Sequence, residues 1–458
     1  MDVVVEHTGQ AAKRGIIPRL PTGLRLLADL EAWLRSEYAD AVRSTRPTEP
    51  GAGVSGIAVR LHPGAPELTL TADDLGRVAA RAVVSYLGAG YETFVRRLLE
   101  RAGEDLEIAW DTDQVALADG GVAVGRGSAV AEASSGLSSD RRARAERDQL
   151  TWLGLALAGA RSSVRRGAGG IHLGIEPGIR FDSDAAIVTP LGPRDEAWLE
   201  RAADDPRVAI EICPWWLDAT DARYLLNRAL CLMWTEVRWR PPVDDADRAA
   251  VDEALNLLKR AYPLDPALPF PWHEWQELID LRGSQTVVTR PDAMGRQVAE
   301  RAGADVAPFA PIGYRRRDVT IVHQGWRLVV PGTYADRRMD EEWTGWEGGR
   351  RITIAATETG DERGPMRPQA FLAQVAGDFG DEAIRHEDGD LVGVARLTAG
   401  SEDGISVGLL EGFSAVLGSG AAIRIEFHDA ADWSWAIEQW RALSPMTRAS
   451  DVRSQVRL

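Results

Sequence analysis

Cysteine and lysine are both scarce in this chain. Its 458 residues include two cysteines, Cys213 and Cys231, and both lie in apolar stretches. Two thiols make neither a disulfide framework nor a zinc site, so we expect both to be small buried hydrophobic residues. Positive charge comes almost entirely from arginine, because Lys13 and Lys259 are the lysines. Schiff-base chemistry and a phosphate-binding lysine therefore have few candidates.

Long hydrophobic runs are also missing. The longest near-apolar run covers residues 150–160, and spanning a bilayer takes about 20 apolar residues. Residues 1–15 show no basic segment followed by an apolar core of signal-peptide length. We therefore expect a cytoplasmic protein that does not insert into membranes.

An excess of positive charge is absent as well. The formal net charge is −16, with 27% charged and 45% hydrophobic residues, as in ordinary globular proteins. Nucleic-acid binding needs clustered lysine and arginine, so this balance disfavours a nucleic-acid partner. It suits a neutral or basic protein partner, or it serves solubility alone.

Local catalytic motifs are lacking too. The glycine cluster at residues 120–127 has no Gly-Lys-Ser/Thr ending, so it is more typical of a hairpin tip than of a phosphate loop. Asp111 and Asp113, like Asp182 and Asp184, are expected to be turn residues, because neither pair continues as a calcium loop. We therefore assign no catalytic residue, no cofactor and no metal.

An enzyme hypothesis stays open for residues that folding brings together. His273 and Glu277 lie four residues apart on a predicted helix, as two zinc ligands do, although the second histidine of the helical zinc motif is missing. His172 and Asp182 would complete the set in a metal-dependent hydrolase within residues 1–285. The competing interpretation is a solvated helix face whose neighbouring tryptophans point inward.

The predicted fold class is α+β, with an N-terminal mixed α/β and helical region followed by a C-terminal antiparallel-sheet α/β sandwich. Element order and composition indicate a mixed region with a tryptophan-rich helical hairpin, a linker, a second α+β module and a polar tail. These parts are, in order, residues 1–285, 286–315, 316–445 and 446–458. The first part is divisible into residues 1–160 and 161–285.

Apolar residues at helical spacing predict two helices near the N-terminus. One carries a row of leucines from Leu24 to Leu34. The other is capped by Thr71 and carries an apolar stripe from Leu75 to Tyr86. The stripe resumes at Phe94, Leu98 and Leu99 after glycines that break or kink the helix.

A repeat-like pattern occurs between residues 244 and 275. The spacing Ala-x3-Leu-x2-Ala-x4-Pro, which begins at Ala254, matches the second helix of a tetratricopeptide repeat. Trp272 falls where the next repeat places its first-helix tryptophan. No second copy carries the pattern, and repeat arrays need about three units to bury a core. The stretch therefore resembles a single tetratricopeptide-type helical hairpin, and ordinary helix packing is the alternative.

Strand and helix signals are sharper in the second α+β module. A helix is predicted from Pro368 to Phe379, and a last helix begins after Asp429, a favourable N-cap, with Trp433 and Trp440 on its core face. The predicted strands are residues 319–322, 326–331, 351–355, 391–397, 405–410, 413–417 and 422–427.

This order of elements carries a family resemblance. Together with the opening Gly-Trp-x-Leu-x-Val-Pro that ends at Pro331 and the closing Trp-Ala-Ile-x-x-Trp that ends at Trp440, it resembles the PsbP/DcrB-like superfamily. That group includes photosystem extrinsic subunits, bacterial envelope proteins and the effector-associated chaperones of type VI secretion. The resemblance implies a binding module, since the group's bacterial members are mostly non-enzymatic, and it carries no catalytic residue across.

Tryptophan is abundant, with sixteen residues, and most of them fit the inner faces of helices and strands. Trp343 and Trp346 fit less well, because they lie in a charged, glycine-rich stretch that we interpret as an exposed loop. Trp215 and Trp216 follow a proline between two elements. Exposed aromatic residues rimmed by acids are typical of protein-binding hot spots, so we predict partner binding by these four.

These observations favour a non-enzymatic protein-binding factor, an adaptor or a chaperone-like protein that serves bacterial secretion or a conflict system. An immunity protein whose acidic surface covers a basic toxin is a second binding hypothesis. The metal-dependent hydrolase remains the enzyme hypothesis.

Overall fold

The computed structural model has the predicted α+β fold, a mixed α/β and helical N-terminal region followed by an antiparallel C-terminal sandwich. The residues that it describes are 3–11, 22–38, 42, 44–51, 54–61, 67–83, 89–117, 136–175, 178–212, 221–283, 293–305, 310–338, 342–361, 364–377, 379–380, 383–402 and 405–446.

The N-terminal sheet has six antiparallel strands in the order β2-β3-β4-β5-β1-β6. Its elements are β1 (Val3–Ala11), α1 (Thr22–Glu37), β2 (Ser44–Gly51), β3 (Val54–Arg60), β4 (Leu68–Asp73), β5 (Arg77–Val83), α2 (Ala89–Leu106) and β6 (Ile108–Leu117). The predicted leucine helix is α1, which packs on β3 and β4, while α2 packs on β6. Leu30, Leu70 and Tyr91 are fully buried in the resulting core.

Residues 68–83 form a β-hairpin, so the helix predicted from Thr71 is wrong over this stretch. Its continuation at Phe94, Leu98 and Leu99 is helical and belongs to α2. The carboxylate of Asp73 accepts hydrogen bonds from the amides of Leu75 and Arg77 at 3.0 and 2.9 Å, which closes the turn between β4 and β5. Two of the outward residues on β5 are alanine and valine, so the apolar stripe fits a helical period as well as an alternating one. Tyr86, the end of the stripe, lies outside the described residues.

A second, smaller core forms between α3 (Gly136–Val164), the short strands β7 (Ile171–His172), β8 (Ile179–Phe181), β9 (Ile187–Thr189) and β10 (Gly192–Arg194), and α4 (Glu196–Asp204). Three of the strands pair in the order β10-β9-β7, and β8 joins a different sheet. Trp152, Leu157 and Ile187 are buried where α3 meets this small sheet and α4.

Four helices follow, each of which packs on the next: α5 (Ala222–Thr235), α6 (Asp245–Leu264), α7 (Trp272–Gly283) and α8 (Ala293–Ala304). We call them the helical row. Asp221 caps α5 by accepting from the amides of Arg223 and Tyr224. The helix α8 lies within the predicted linker, and the domain boundaries stay predictions. Among the described helices, none combines the length and the apolar composition needed to cross a bilayer.

The C-terminal module contains two antiparallel sheets, with orders β13-β14-β15-β21-β20-β19-β18 and β22-β12-β11-β8. Its elements are β11 (Val319–His323), β12 (Trp326–Val330), β13 (Ala335–Arg338), β14 (Glu342–Glu347), β15 (Arg350–Glu358), β16 (Gly360–Asp361), β17 (Gly364–Pro365), α9 (Pro368–Val375), β18 (Ile384–Asp388), β19 (Leu391–Glu402), β20 (Ile405–Val416), β21 (Ser419–Phe427), α10 (Trp433–Ala442) and β22 (Ser444–Pro445). The strand β8 comes from far earlier in the chain, so this sheet joins both halves.

The inner face of the seven-stranded sheet packs against α10. Trp440 on this helix is buried against Gly412 of β20, where a Cβ atom would lie 2.6 Å from its ring. That contact explains why Gly412 does not break β20, which is one continuous strand where two were predicted. Asp429 caps the turn before α10 as predicted, by accepting from the amide of Ala431 at 2.9 Å. Trp433 is 40% exposed, so its predicted place in the core is wrong.

A largely buried ion-pair network joins the helical row to the C-terminal module. Arg238, just after α5, pairs with Asp247 on α6 at 2.7 Å and with Asp336 on β13. Arg315 also pairs with Asp336, at 3.3 Å, and donates to the carbonyl oxygen of Thr235 at 2.8 Å. We call Arg238, Asp247, Arg315 and Asp336 the Asp336 network. Burial alone would raise the pKa of Asp336, but the charges of Arg315 and Arg238 outweigh it and hold that pKa well below its usual value.

Replacement of Asp336 by asparagine is expected to destabilise the fold strongly. The change keeps the shape of the side chain but removes the negative charge that Arg238 and Arg315 share. We expect the free energy of unfolding, measured by urea denaturation, to fall by about 3–5 kcal/mol, as it does when one partner of a buried ion pair is removed. Asp204→Asn is the control, because Asp204 pairs with Arg161 at 2.8 Å but is 76% exposed. It should cost about 1 kcal/mol or less, and equal losses in both variants would contradict the role of burial.

Candidate functional site

Trp343 and Trp346 lie on strand β14, so the expectation of an exposed loop at these residues is wrong. The side chain of Trp343 is 0% exposed, and its indole Nε1 donates to Asp336 Oδ2 at 3.2 Å. It therefore packs inside the module against the Asp336 network and presents no surface to a partner. Trp346 points to the opposite face of the sheet and is partly exposed. Of this pair, Trp346 is the one that a partner can reach.

Trp215 and Trp216 lie outside the described residues, as does the glycine cluster at residues 120–127. Their predicted roles stay predictions. Asp111 and Asp113 lie within strand β6, so their interpretation as turn residues is wrong.

The four residues of the enzyme hypothesis, His172, Asp182, His273 and Glu277, lie in different parts of the fold and have different structural roles. His172 Nε2 accepts from the amide of Phe181, and its Nδ1 contacts the carbonyl oxygen of Gly170, both at 2.9 Å. This arrangement requires a neutral ring with its proton on Nδ1. Burial lowers the pKa of His172 to about 4. The side chain of His172 therefore links β7 to β8 by its hydrogen bond with the backbone amide of Phe181.

His273 and Glu277 both lie on α7, as predicted. Glu277 pairs with Arg316, whose Nη1 lies 3.0 Å from Oε1. Asp182 follows β8 and is exposed. Within the described part of the chain, no group of three or more histidine, cysteine, aspartate or glutamate side chains is arranged to hold a metal ion.

A cleft of about 720 Å³ opens between the β14–β15 turn and the segment that links β21 to α10. Gly348 takes a φ of +57° in the turn, and the amide of His428 donates to the carbonyl oxygen of Gly349 at 3.1 Å, which fixes the two walls together. We call this the Tyr334 cleft. Its ionisable side chains are those of Tyr334, Glu347, Arg350, His428, Asp429 and Asp432.

One wall of the Tyr334 cleft is a bidentate ion pair. Arg350 donates to the two carboxylate oxygens of Asp432 at 2.9 and 2.6 Å, and its guanidinium lies 4.6 Å from the ring centre of Trp435. The hydrogen bonds from Arg350 lower the pKa of Asp432, and the same bonds raise the pKa of Arg350. This wall is therefore held in one geometry by the pair and by the indole ring beneath it.

Tyr334 and Glu347 also line the cleft. Glu347 Oε2 accepts from the hydroxyl of Thr333 at 2.9 Å, and its Oε1 lies 3.4 Å from Arg240 Nε. Tyr334 is 3% exposed, and its hydroxyl interacts with the guanidinium of Arg350. Burial raises the pKa of Tyr334 to about 12, against the opposing charge of Arg350. Its hydroxyl is therefore protonated and able both to donate and to accept.

Sequence reasoning missed the Tyr334 cleft. Its residues come from three stretches of the chain, and no short motif joins them. The available signals were the paired glycines Gly348 and Gly349, which predict a tight turn, and the cap residue Asp429. Neither signal indicates that the turn and the cap lie on facing walls.

Comparison with known proteins identifies no family for the chain. No protein-family model matches the sequence. No curated protein matches it either. A solved structure from Bacteroides thetaiotaomicron VPI-5482, at 1.50 Å resolution, aligns with a TM-score of 0.24 and 9% identity. The alignment covers 27% of this chain and 46% of that one, so this chain spans less than half of that protein. A likeness of this size carries no argument, and both resemblances noted in the sequence stay predictions.

The pH dependence of stability is expected to report on His172. Its pKa is about 4 in the fold, below the ordinary value of 6.5, so the unfolded chain binds a proton that the folded chain does not. Stability is present in full above pH 6.5 and is lost as the pH falls toward 4. The loss from this group is at most about 3 kcal/mol.

Urea denaturation at pH 7 and pH 4.5 checks this expectation. The difference between the two pH values should shrink in His172→Asn and stay unchanged in the control His428→Gln, since His428 is exposed. A ring resonance of His172 that titrates near pH 6.5 in the folded protein would contradict the assignment.

Proposed function

We propose that the protein is a non-enzymatic protein-binding factor, an adaptor or chaperone-like protein that serves bacterial secretion or a conflict system. The observation that carries the proposal is Trp346, a partly exposed tryptophan on the outer face of the seven-stranded sheet. Tryptophan, with tyrosine and arginine, is enriched among the few interface residues that dominate protein-binding energy.

The surroundings of Trp346 support this role. Its cross-strand neighbour is Arg351, which pairs with Glu426 at 3.4 Å. Glu426 also pairs with Arg424, at 2.9 Å. An aromatic centre with a polar, charged border is the usual composition of a protein interface. On this same face α9 packs over β19, β20 and β21, where Phe371 lies against Gly420. Trp346 shares this face, but it lies on β14, two strands away from β21 in the sheet, and is partly exposed.

The resemblance to the PsbP/DcrB-like superfamily is consistent with a binding role. The net charge of −16 favours a neutral or basic protein partner over a nucleic acid. The same charge suits an immunity protein that covers a basic toxin. The genes next to this one distinguish the two roles, since an adaptor for secretion belongs with a secretion cluster and an immunity protein with a toxin gene.

A photocrosslinking amino acid placed at position 346 tests the proposal. Benzoyl-phenylalanine replaces Trp346 in one variant of the full chain and Trp433 in another, because Trp433 is an exposed tryptophan of the same module on α10. Irradiation in the native host should join one defined protein to position 346 and not to position 433. Trp346→Ala in the unlabelled chain should then weaken binding of that protein by at least about tenfold, the effect of a hot-spot residue.

Two outcomes would overturn the proposal. One is an identical set of crosslinked proteins at positions 346 and 433. The other is the absence of any crosslinked protein at position 346 when the chain is present at its native level.

A further inference from the structure

The strand β8 leaves the small sheet beside it and pairs with a strand of the C-terminal module. The strands before and after it, β7 and β9, pair with each other in the small sheet. β8 itself pairs antiparallel with β11, with Ile179 opposite Ile321 and Phe181 opposite Val319. Among the described strands, it forms one edge of the four-stranded sheet. We call residues 178–181 the β8 strap.

The β8 strap contributes its side chains to the core of the C-terminal module and not to the small core. Phe181 is 3% exposed, and its ring stacks on Tyr314 with 4.8 Å between the ring centres. Ile179 packs against the same core. The neighbouring strands bury Ile171 and Ile187 in the small core, which includes no residue of the strap. The strap can therefore detach as a local unit while the strands on either side of it stay paired.

The attachment of the β8 strap to the sheet is short. Three of its residues pair with β11, and the carbonyl oxygen of Gly178 accepts from the amide of Val322 at 2.9 Å and from Arg338 Nη2 at 2.6 Å. On the other side of the strap, the amide of Phe181 donates to the ring of His172 at 2.9 Å. Detachment would uncover the backbone groups of β11 and the apolar surface under Phe181. An uncovered strand edge of this kind is a template for an added strand.

We propose that the β8 strap is removable and that the edge of β11 beneath it binds an extended segment of a partner protein. The segment pairs antiparallel with β11 and carries an aliphatic residue, then any residue, then an aromatic residue. The strap itself indicates this chemistry, because Ile179 and Phe181 pack on the core while Arg180 lies on the other face of the strand. This inference rests on the proposed binding function, because it states how a segment of the partner is held.

Hydrogen exchange in the native full chain tests whether the β8 strap opens by itself. The amides of Arg180 and Phe181 should exchange at least about tenfold faster than the slowest amides of β12, because local opening costs less free energy than global unfolding. Equal protection of β8 and β12 would show that the strap leaves only when the whole sheet unfolds, and would overturn the inference.

A labelled peptide tests the proposed occupant. The probe copies residues 178–183, glycine-isoleucine-arginine-phenylalanine-aspartate-serine, with fluorescein at its N-terminus and an amidated C-terminus. Its binding to the full chain is followed by fluorescence anisotropy. The matched control peptide carries serine in place of the isoleucine and the phenylalanine. We expect the control peptide to bind at least about tenfold more weakly, because it has no apolar side chains to bury. Equal binding of the two peptides would contradict the proposed pattern.

A variant of the β8 strap assigns the probe to the edge of β11. Phe181→Ala weakens the hold of the strap and leaves β11 intact, so this chain should bind the probe at least about tenfold more tightly than the unchanged chain. Leu199→Ala is the matched control, because Leu199 is 1% exposed in the small core and is not part of the strap. It should leave the affinity unchanged, and an equal gain in both variants would show that loss of stability alone exposes the probe's site.

A disulfide gives the opposite test. Arg180→Cys and Thr320→Cys, made together at two positions that lie opposite each other, should hold the strap on β11 when the thiols are oxidised. The oxidised chain should not bind the probe, and reduction should restore binding. Binding that is insensitive to oxidation would overturn the inference. Dimerisation of the Phe181→Ala chain in place of probe binding would also overturn it, because the edge would then take a second copy of this chain.

Failure here and failure of the proposed function give different results. If position 346 crosslinks a partner but the probe does not bind even to the Phe181→Ala chain, the protein is a binding factor that does not use the edge of β11. If the probe binds and the disulfide blocks it but position 346 crosslinks nothing, the edge of β11 stands as a binding site and Trp346 does not mark the interface.

Discussion

The ion pairs around Asp336 determine how the two halves of this protein sit together. Removing a carboxylate and two guanidinium groups from water costs several kcal/mol for each ion, and good geometry is the only compensation. Asp336 on β13 meets both Arg238 and Arg315, and Arg238 also meets Asp247 on α6. These three segments can satisfy their charges in one mutual arrangement, so the network specifies the joint between the helical row and the sandwich.

The same arginines also build the candidate site. Arg238 Nε donates to the carbonyl oxygen of Tyr334, and Arg240 Nε donates to that of Thr333 at 2.7 Å. The backbone at the floor of the cleft is therefore fixed from behind by charges that belong to the joint. Binding energy is gained most efficiently when the receiving groups are already held in position.

Local signals predicted much of the fold, and residues far apart in sequence account for the rest. Strong apolar patterns and caps, as at Asp221 and Asp429, identified helices correctly because they depend on a few neighbouring residues. The hairpin at residues 71–83 was misread because small residues fit both periods. The Asp336 network includes the pair of Arg238 with Asp336, which lie 98 positions apart, and the Tyr334 cleft brings together three separate stretches of the chain. No single-sequence pattern reports such contacts.

The two tryptophans of β14 lie in different environments because side chains alternate between the two faces of a strand. Trp343 and Trp346 are three residues apart, and side chains on a strand alternate between faces, so the two rings cannot share a face. The inner ring anchors Asp336 and the outer ring is partly exposed. Glu347 shares the inner side with Trp343 and faces the cleft. Trp346 and the Tyr334 cleft therefore lie on opposite sides of β14, so one flat surface cannot contact both.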